Sequence, residues 1–338
     1  MKTAILGTGR CLPDNVVTNE ALIAKMQLVV TAGGDWIEQR TGIKERRHVD
    51  FVKDPLSGVE MGARAADQAL AMANVRADEI DFVIWGTLSP DHQFPGNSCW
   101  AQPRLGVRPG VPCMDIRNQC SFFVYALTMA EALIAGGRYK RILICGSEIH
   151  STGVEMNERG KDVAILFGDG AGAVVVGPAI HDGQGILATD LHADGSFADR
   201  LQIPWGSAQQ DVYITKDQIE RGEIFPKMNG TSVFKNAVTK MPESIRTSLG
   251  QCGLGLDDVA LFICHQANLR IVEYVQKSLK LGDDKFYNNI QRYGNTTAAS
   301  IPIALDECVR SGRLQRGQVL CVAAFGAGFT WGSAVIRF

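Results

Sequence analysis

The sequence predicts an α/β protein of two similar halves, in which two packed sheets carry helices on their outer faces and share a helical layer between them. Three observations carry this. Segments with helical spacing alternate with short, wholly apolar runs such as ILICG, LFICH and VLCVA, the pattern of strands buried on both faces. The order of helix, polar link and buried strand is repeated in the second half of the chain. Glycines, 36 in 338 residues, gather in loops at the strand ends, where backbone must come close to a ligand.

Taken in order, Thr3 to Leu6 open the first strand, and Thr18, with Glu20 behind it, caps a helical run. The segment DWIEQRTGIKERR, Asp35 to Arg47, sets Trp36 among Arg40, Lys44, Arg46 and Arg47. It reads either as a basic rim for a phosphate-bearing ligand or as a solvated loop anchored by its tryptophan. Met61 to Ala73 predict a helix, and ADEIDFVIWGT an acidic link into a strand ending at Gly86. The loop SPDHQFPGNSCW carries Phe94 at its tip. Cys113 to Ile116 read as a short strand, followed by a polar turn and a helix starting at or just after Cys120. GRYKRILICGSE gives another helix end and strand. FGDGAGAVVVG gives a glycine-rich turn that runs into a strand and not a helix, which weakens a phosphate-loop reading.

The second half repeats these parts. SVFKNAVTKMPESIRTSLGQCGLGLDDVALFICHQAN pairs with GVEMGARAADQALAMANVRADEIDFVIWGT, SIPIALDECVRSGRLQRGQVLCVAAFG with VYALTMAEALIAGGRYKRILICGSE, and FTWGSAVIRF with FGDGAGAVVVG. The less periodic stretch between about residues 178 and 225 separates the halves. Residues 1–178 then form the half that carries Cys120. Residues 179–338 comprise a linking segment and the half that carries His265 and Asn295.

Composition narrows the function classes. A net charge of −2 argues against a general nucleic-acid binder. The nine cysteines are scattered without a CxxC pair, which argues against a disulfide framework or zinc site and fits a reducing compartment. The start, MKTAILGTGRCLP, reads as a core strand and not a signal peptide, and no apolar stretch approaches the roughly 18 residues of a membrane span. A cytoplasmic protein is expected.

Cys120 sits at a strand-to-helix junction, where free N–H groups and the helix dipole favour a thiolate; cysteine is also among the residue types most often simply buried. His265 ends an apolar strand and precedes a helix marked by Leu269, Val272 and Val275, as a catalyst or as a hydrogen-bonded structural residue. Asn268 and Asn295 each fit an N-cap. Aligning the halves sets Cys120 opposite the turn RYGNTTAAS, with His265 entering the same area. Together, cysteine, histidine and asparagine suit acyl transfer, the thiolate taking the acyl group and two N–H donors holding developing oxygen charge. Asp169, between glycines, reads as a partner for backbone N–H groups, and Glu148 and His150 as supports. No GxSxG, HExxH, Walker or zinc-spaced set occurs.

GDWIEQRTGIKERR, DIRNQCSFFVYAL, ERGKDVAILFGDGAGAVV, HQANLRI, RYGNTTAASIPIALDE and FGAGFTWGSAVIRF together resemble the beta-ketoacyl-acyl-carrier-protein synthase III family of the thiolase superfamily, over essentially the whole chain. The resemblance implies a five-layered α-β-α-β-α thiolase-like fold. It implies Cys120 as the acyl-accepting nucleophile, His265 and Asn295 as its partners, and Phe325 near the pocket. Trp36 and Arg40 resemble residues flanking the coenzyme A adenine, Arg159 their counterpart across the tunnel mouth, and Asn268 a ligand of the pantetheine arm. Arg270 resembles the arginine that docks the acidic acyl carrier protein. Phe94 resembles the residue that caps a partner subunit's acyl pocket, which implies a homodimer.

The implied reaction is a decarboxylating Claisen condensation of an acyl-CoA with malonyl-acyl carrier protein, initiating fatty-acid synthesis, with coenzyme A thioester as substrate and no metal or redox cofactor. Relatives of the same superfamily imply alternatives: a specialised-metabolite synthase using a different acyl starter, a non-decarboxylating head-to-head condensing enzyme, or an acyltransferase. The chain departs from the family at Phe122, which replaces a glycine two residues after the nucleophile and is expected to shorten the acyl pocket or shift the helix. Asn118 and Gln119 replace small residues.

Overall fold

Two sheets organise the chain in the computed structural model, which describes residues 2–29, 33, 35–205, 208 and 210–338. The first orders the strands Thr3–Cys11, Gly170–Pro178, Ile142–Glu148, Phe82–Gly86 and Cys113–Ile116. Gly170–Pro178 runs antiparallel to both neighbours, and the remaining pairs are parallel. The second sheet orders Gly185–Ala193, Thr330–Arg337, Val319–Gly326 and Leu261–Cys264 in the same senses. In place of a fifth strand it has a single parallel bridge between Phe262 and Phe286.

The three sequence pairings recur as matched elements. Helix Gly58–Ala73 and strand Phe82–Gly86 correspond to helix Gly230–Gln251 and strand Leu261–Cys264. Helix Phe122–Ala135 and strand Ile142–Glu148 correspond to helix Ser300–Arg310 and strand Val319–Gly326, and Gly170–Pro178 corresponds to Thr330–Arg337. The apolar strands are hydrophobic on both faces because helices cover both. Met61, Ala65 and Ala69 lie on Val83, Trp85 and Val175 at one outer face, and Met241, Ile245 and Val272 on Phe262, Cys321 and Val335 at the other. Between the sheets, Phe123, Leu127, Ile301 and Leu305 meet Ile84, Ile144 and Val174 of the first sheet and Ile263, Leu320 and Val322 of the second. This is the five-layered order expected. The middle helix FFVYALTMAEALIA is apolar around most of its circumference because a sheet lies on each side.

Close packing explains two of the glycines. A Cβ on Gly7 would lie 2.2 Å from the Ala69 carbonyl, and one on Gly9 2.1 Å from that of Ala65, so the first strand meets its helix backbone to backbone. Ser57 caps that helix through a 3.0 Å bond from the Glu60 N–H, and Asn74 ends it in the left-handed conformation.

The basic segment after Trp36 does not form a single rim. Arg46 is fully buried, donating to Asn19 Oδ1 at 2.7 Å and the Ile165 carbonyl at 3.0 Å, and burial lowers its pKa to about 10. It ties the N-terminal elements to the segment before the GDGAG turn. Among the described residues, no helix is long and apolar enough to cross a membrane.

Candidate active site

Strand Cys113–Ile116 delivers the chain to a 3-10 turn, Gln119–Ser121, and the α-helix starts at Phe122, two residues later than Cys120. Gln119 has φ +34°, a conformation costly for a side-chain-bearing residue and held here by the surrounding packing. The FGAG loop lies against this turn. A Cβ on Gly326 would come within 2.5 Å of the Cys120 Cβ, so only glycine permits the approach. The backbone N–H groups of Cys120 and Ala327 act on the sulfur and favour its anion. Burial and the Glu148 carboxylate outweigh them and push the thiol up to about 12. Both act against the thiolate that the helix start favours, although Cys120 is only half-buried and lines both cavities of the site.

His265 follows strand Leu261–Cys264, and its N–H donates to the Ala323 carbonyl at 2.8 Å. Its ring is buried, which pushes the imidazole down to about 3 and keeps it neutral at ordinary pH. Nδ1 lies 2.6 Å from Ser300 Oγ, and Ser300 also accepts a weak 3.4 Å bond from the Gln266 N–H. A hydroxyl oxygen accepts up to two bonds and donates one, so the ring carries its proton on Nε2 in the arrangement where the serine donates to Nδ1. That Nε2 is buried without a hydrogen-bond partner, a state that costs about 1–3 kcal/mol unless a substrate atom satisfies it. Ser300 has no signal in the sequence beyond its place five residues after Asn295, because the contact spans 35 residues.

Asn295 is clamped by the glycine-rich turn FGDGAG. It bridges Phe167 in parallel, donating to the Leu166 carbonyl and accepting from the Gly168 N–H. Its Oδ1 accepts the Thr297 N–H at 2.8 Å, leaving Nδ2 as the available donor. Asp169 accepts from the N–H groups of Val49, His150 and Ser151 and the Ser151 hydroxyl, so it fastens loops, as its flanking glycines implied.

Glu148 underlies the site. Its fully buried carboxylate accepts from the Leu88 and Ser89 N–H groups and the Thr87, Ser89 and Thr297 hydroxyls. The hydroxyl of Thr297 also lies 2.9 Å from His150 Nε2. Since that hydroxyl gives its one proton to Glu148, His150 must donate from Nε2.

Two cavities meet at Cys120, Phe167 and Leu201. One, of about 390 Å³, runs from Cys120, Asn295 and Phe325 past Asn268 to Arg40 and Asp162. The other, of about 580 Å³, runs from Cys120 to Trp205 and Tyr213. Cys120 and Asn295 thus share a cavity wall, while His265 stands beside the strand whose end supplies Phe325.

The other expected site residues are distributed around these arms. Arg40 lies 4.8 Å over the Trp36 ring and 3.6 Å from Asp162. Asn268 is an N-cap, accepting the Arg270 N–H at 3.0 Å, and also donates to the Arg40 carbonyl. Arg270 is exposed and bonded to the Gln39 carbonyl. Arg159 is engaged by Glu155 and the Glu220 carbonyl. Phe94 is 86% exposed. Phe122 lines neither cavity; it is buried in the middle layer over Gly86, where a Cβ would lie 2.3 Å from its ring. The missing glycine after the nucleophile is thereby matched by a glycine on the neighbouring strand, and the expectation of a shortened acyl pocket finds no contact to carry it.

The chain is similar to known proteins along its length. The family patterns 3-oxoacyl-(acyl-carrier-protein) synthase III and its C-terminal counterpart match residues 114–195 and 249–338. The beta-ketoacyl-(acyl-carrier-protein) synthase III of Alkalilimnicola ehrlichii is 40% identical over 334 residues, 99% of this chain and 98% of the relative. That of Yersinia pseudotuberculosis is 40% identical over the whole of both chains. The crystal structure of 3-oxoacyl-(acyl-carrier-protein) synthase III from Aquifex aeolicus superposes with a TM-score of 0.87 at 38% identity, covering 99% of this chain and 100% of that one. Likeness of this extent, over both halves and all five layers, shows that the chain belongs to the 3-oxoacyl-(acyl-carrier-protein) synthase III family.

Proposed function

We propose that the chain is a condensing acyltransferase that joins an acyl group, carried from coenzyme A onto Cys120, to malonyl-acyl carrier protein with loss of carbon dioxide, the initiating step of fatty-acid synthesis. The half at 1–178 supplies the nucleophile, and the half at 179–338 supplies His265 and Asn295. The observation that carries this reading is that Cys120 and Asn295, whose Nδ2 is uncommitted, line one cavity, with His265 at the end of the strand beside Phe325 and its Nε2 without a partner.

In the first step the Cys120 sulfur attacks the acyl-CoA carbonyl. The oxyanion is held by the Cys120 and Ala327 N–H groups, and coenzyme A departs with the thiol proton. Malonyl-acyl carrier protein then loses carbon dioxide, and the enolate oxygen receives hydrogen bonds from His265 Nε2 and Asn295 Nδ2. The enolate carbon attacks the acyl-cysteine, the beta-ketoacyl thioester leaves, and the freed thiolate takes a proton from water. A neutral histidine suits this role, because its task is to donate.

The cavity that reaches Arg40 and Asn268 receives the pantetheine arm, with Trp36, Arg40 and Arg159 near the nucleotide and Arg270 facing the carrier protein. Exposed Phe94 fits a homodimer in which it closes the partner's acyl pocket. The reading needs no metal or redox cofactor, and nine free cysteines suit the reducing cytoplasm.

Intact-protein mass after exposure to acyl-CoAs, followed by malonyl-acyl carrier protein, tests the proposal. An adduct should form on Cys120, vanish with release of carbon dioxide, and fail to form in Cys120→Ala. An adduct that persists with the malonyl carrier, or one retained in Cys120→Ala, would exclude this mechanism.

A further inference from the structure

The larger cavity is not built like a slot for a plain hydrocarbon chain. Among the described residues, no aspartate or glutamate lines it, and its one charged side chain is Arg117. Among the described residues, Arg117 is the one arginine with no hydrogen bond, ion pair or ring partner; the arginine of the other arm, Arg40, has both Asp162 and Trp36. The side chains of Asn118 and Gln119, which follow it, also line the cavity and have no hydrogen-bond partner among the described residues. Three successive polar side chains therefore lead, uncommitted, to the nucleophile.

An unpaired guanidinium in a cavity free of acidic groups is suited to a carboxylate, which its planar donor fork can bind in a bidentate manner. The phosphates of coenzyme A do not supply that partner in the arrangement above, because the nucleotide lies in the other arm. We propose that the acyl group accepted by Cys120 ends in a carboxylate, bound by Arg117 with Asn118 and Gln119 beside it, so that the enzyme loads a dicarboxylic acyl-CoA in preference to an aliphatic one. The inference rests on the condensing reading and names its acyl substrate class. The loading step stays a simple exchange: the Cys120 sulfur forms the new thioester, coenzyme A leaves with the proton, and the distal carboxylate is unchanged.

The test is competition between acyl-CoAs matched in carbon number, succinyl against butyryl and glutaryl against valeryl, with Cys120 adducts followed by intact mass in the full-length protein. The carboxylate-bearing member of at least one pair should load about tenfold faster, the discrimination expected of one charge-assisted contact. Arg117→Gln should abolish that preference, and Arg117→Lys should retain part of it. Faster loading of butyryl and valeryl in the unaltered protein, or a preference untouched in Arg117→Gln, overturns the inference and leaves the condensing reading standing. Failure of all four to acylate Cys120 overturns both.

Discussion

Ser300 Oγ lies 2.6 Å from Nδ1 of His265, joining the start of one buried helix to the end of the neighbouring strand. Where the serine donates to Nδ1, the ring proton sits on Nε2, the nitrogen left without a partner. Ser300→Ala removes the group that fixes this tautomer and should lower kcat for condensation by about tenfold, the worth of roughly 1–2 kcal/mol. Ser300→Thr, which keeps the hydroxyl, should recover much of it. Steady-state kinetics with saturating acyl-CoA measures this, and a change confined to KM would argue against a role in orienting His265.

The Cys120 thiol, pushed up to about 12, should titrate well above neutrality in the free protein. Alkylation by iodoacetamide should keep rising with pH through 9.5 without a plateau, since each unit of pH raises the thiolate fraction about tenfold below the pKa. A plateau below pH 8 would show that the N–H groups of Cys120 and Ala327 prevail over burial.

Glu148 links reactivity to stability. Its negative charge raises the thiol pKa, so Glu148→Gln should speed alkylation of Cys120 at pH 8. The same change should cost about 1–3 kcal/mol of stability, because a carboxamide turns a donor toward N–H and O–H groups that all require an acceptor. Urea unfolding and the alkylation rate measure the two effects on one protein; faster alkylation without loss of stability would remove Glu148 from its structural role.

The imidazoles of His265, held down to about 3, and His48, down to about 4, are both neutral in the folded protein because of burial. The unfolded chain binds those protons below about pH 6.5, so their contribution to stability is complete above that pH and is lost as pH falls toward the folded values. The slope attributable to each is up to about 1.4 kcal/mol per pH unit. Urea unfolding between pH 7 and 4.5 should show a shallower decline in His265→Asn than in the unaltered protein. Equal slopes would mean that the folded His265 accepts a proton in this range.

Much of this was legible in the sequence because it is periodic or repeated. The alternation of apolar strands and helical runs specifies layers, and the duplication brings the Cys120 and Asn295 segments together. What the sequence hides depends on partners far along the chain. Arg46 sits in a run of basic residues and reads as exposed, yet Asn19 and the Ile165 carbonyl, 27 and 119 positions away, satisfy it inside the protein. Cys120 reads as an activated thiol from its helix start, and only the folded positions of Glu148 and the surrounding packing bring in the opposing effects. Arg117 looks like any polar loop residue until the cavity around it is seen to contain no acid among the described residues.

Phe122 shows the same limit and gives the last test. In the family pattern it replaces a glycine two residues after the nucleophile, which predicts an intrusion on substrate; in the fold it fills the space above Gly86 and belongs to the middle layer. Phe122→Gly, which restores the usual family residue, should therefore destabilise by about 3–5 kcal/mol through the cavity it opens. Gly86→Ala should also destabilise, because the new methyl collides with the ring. Combining Gly86→Ala with Phe122→Gly should recover part of the loss, a coupling that a double-mutant cycle in urea measures directly. Strict additivity would mean that the two positions do not compensate one another. A lengthened acyl range in Phe122→Gly would return this side chain to the substrate pocket.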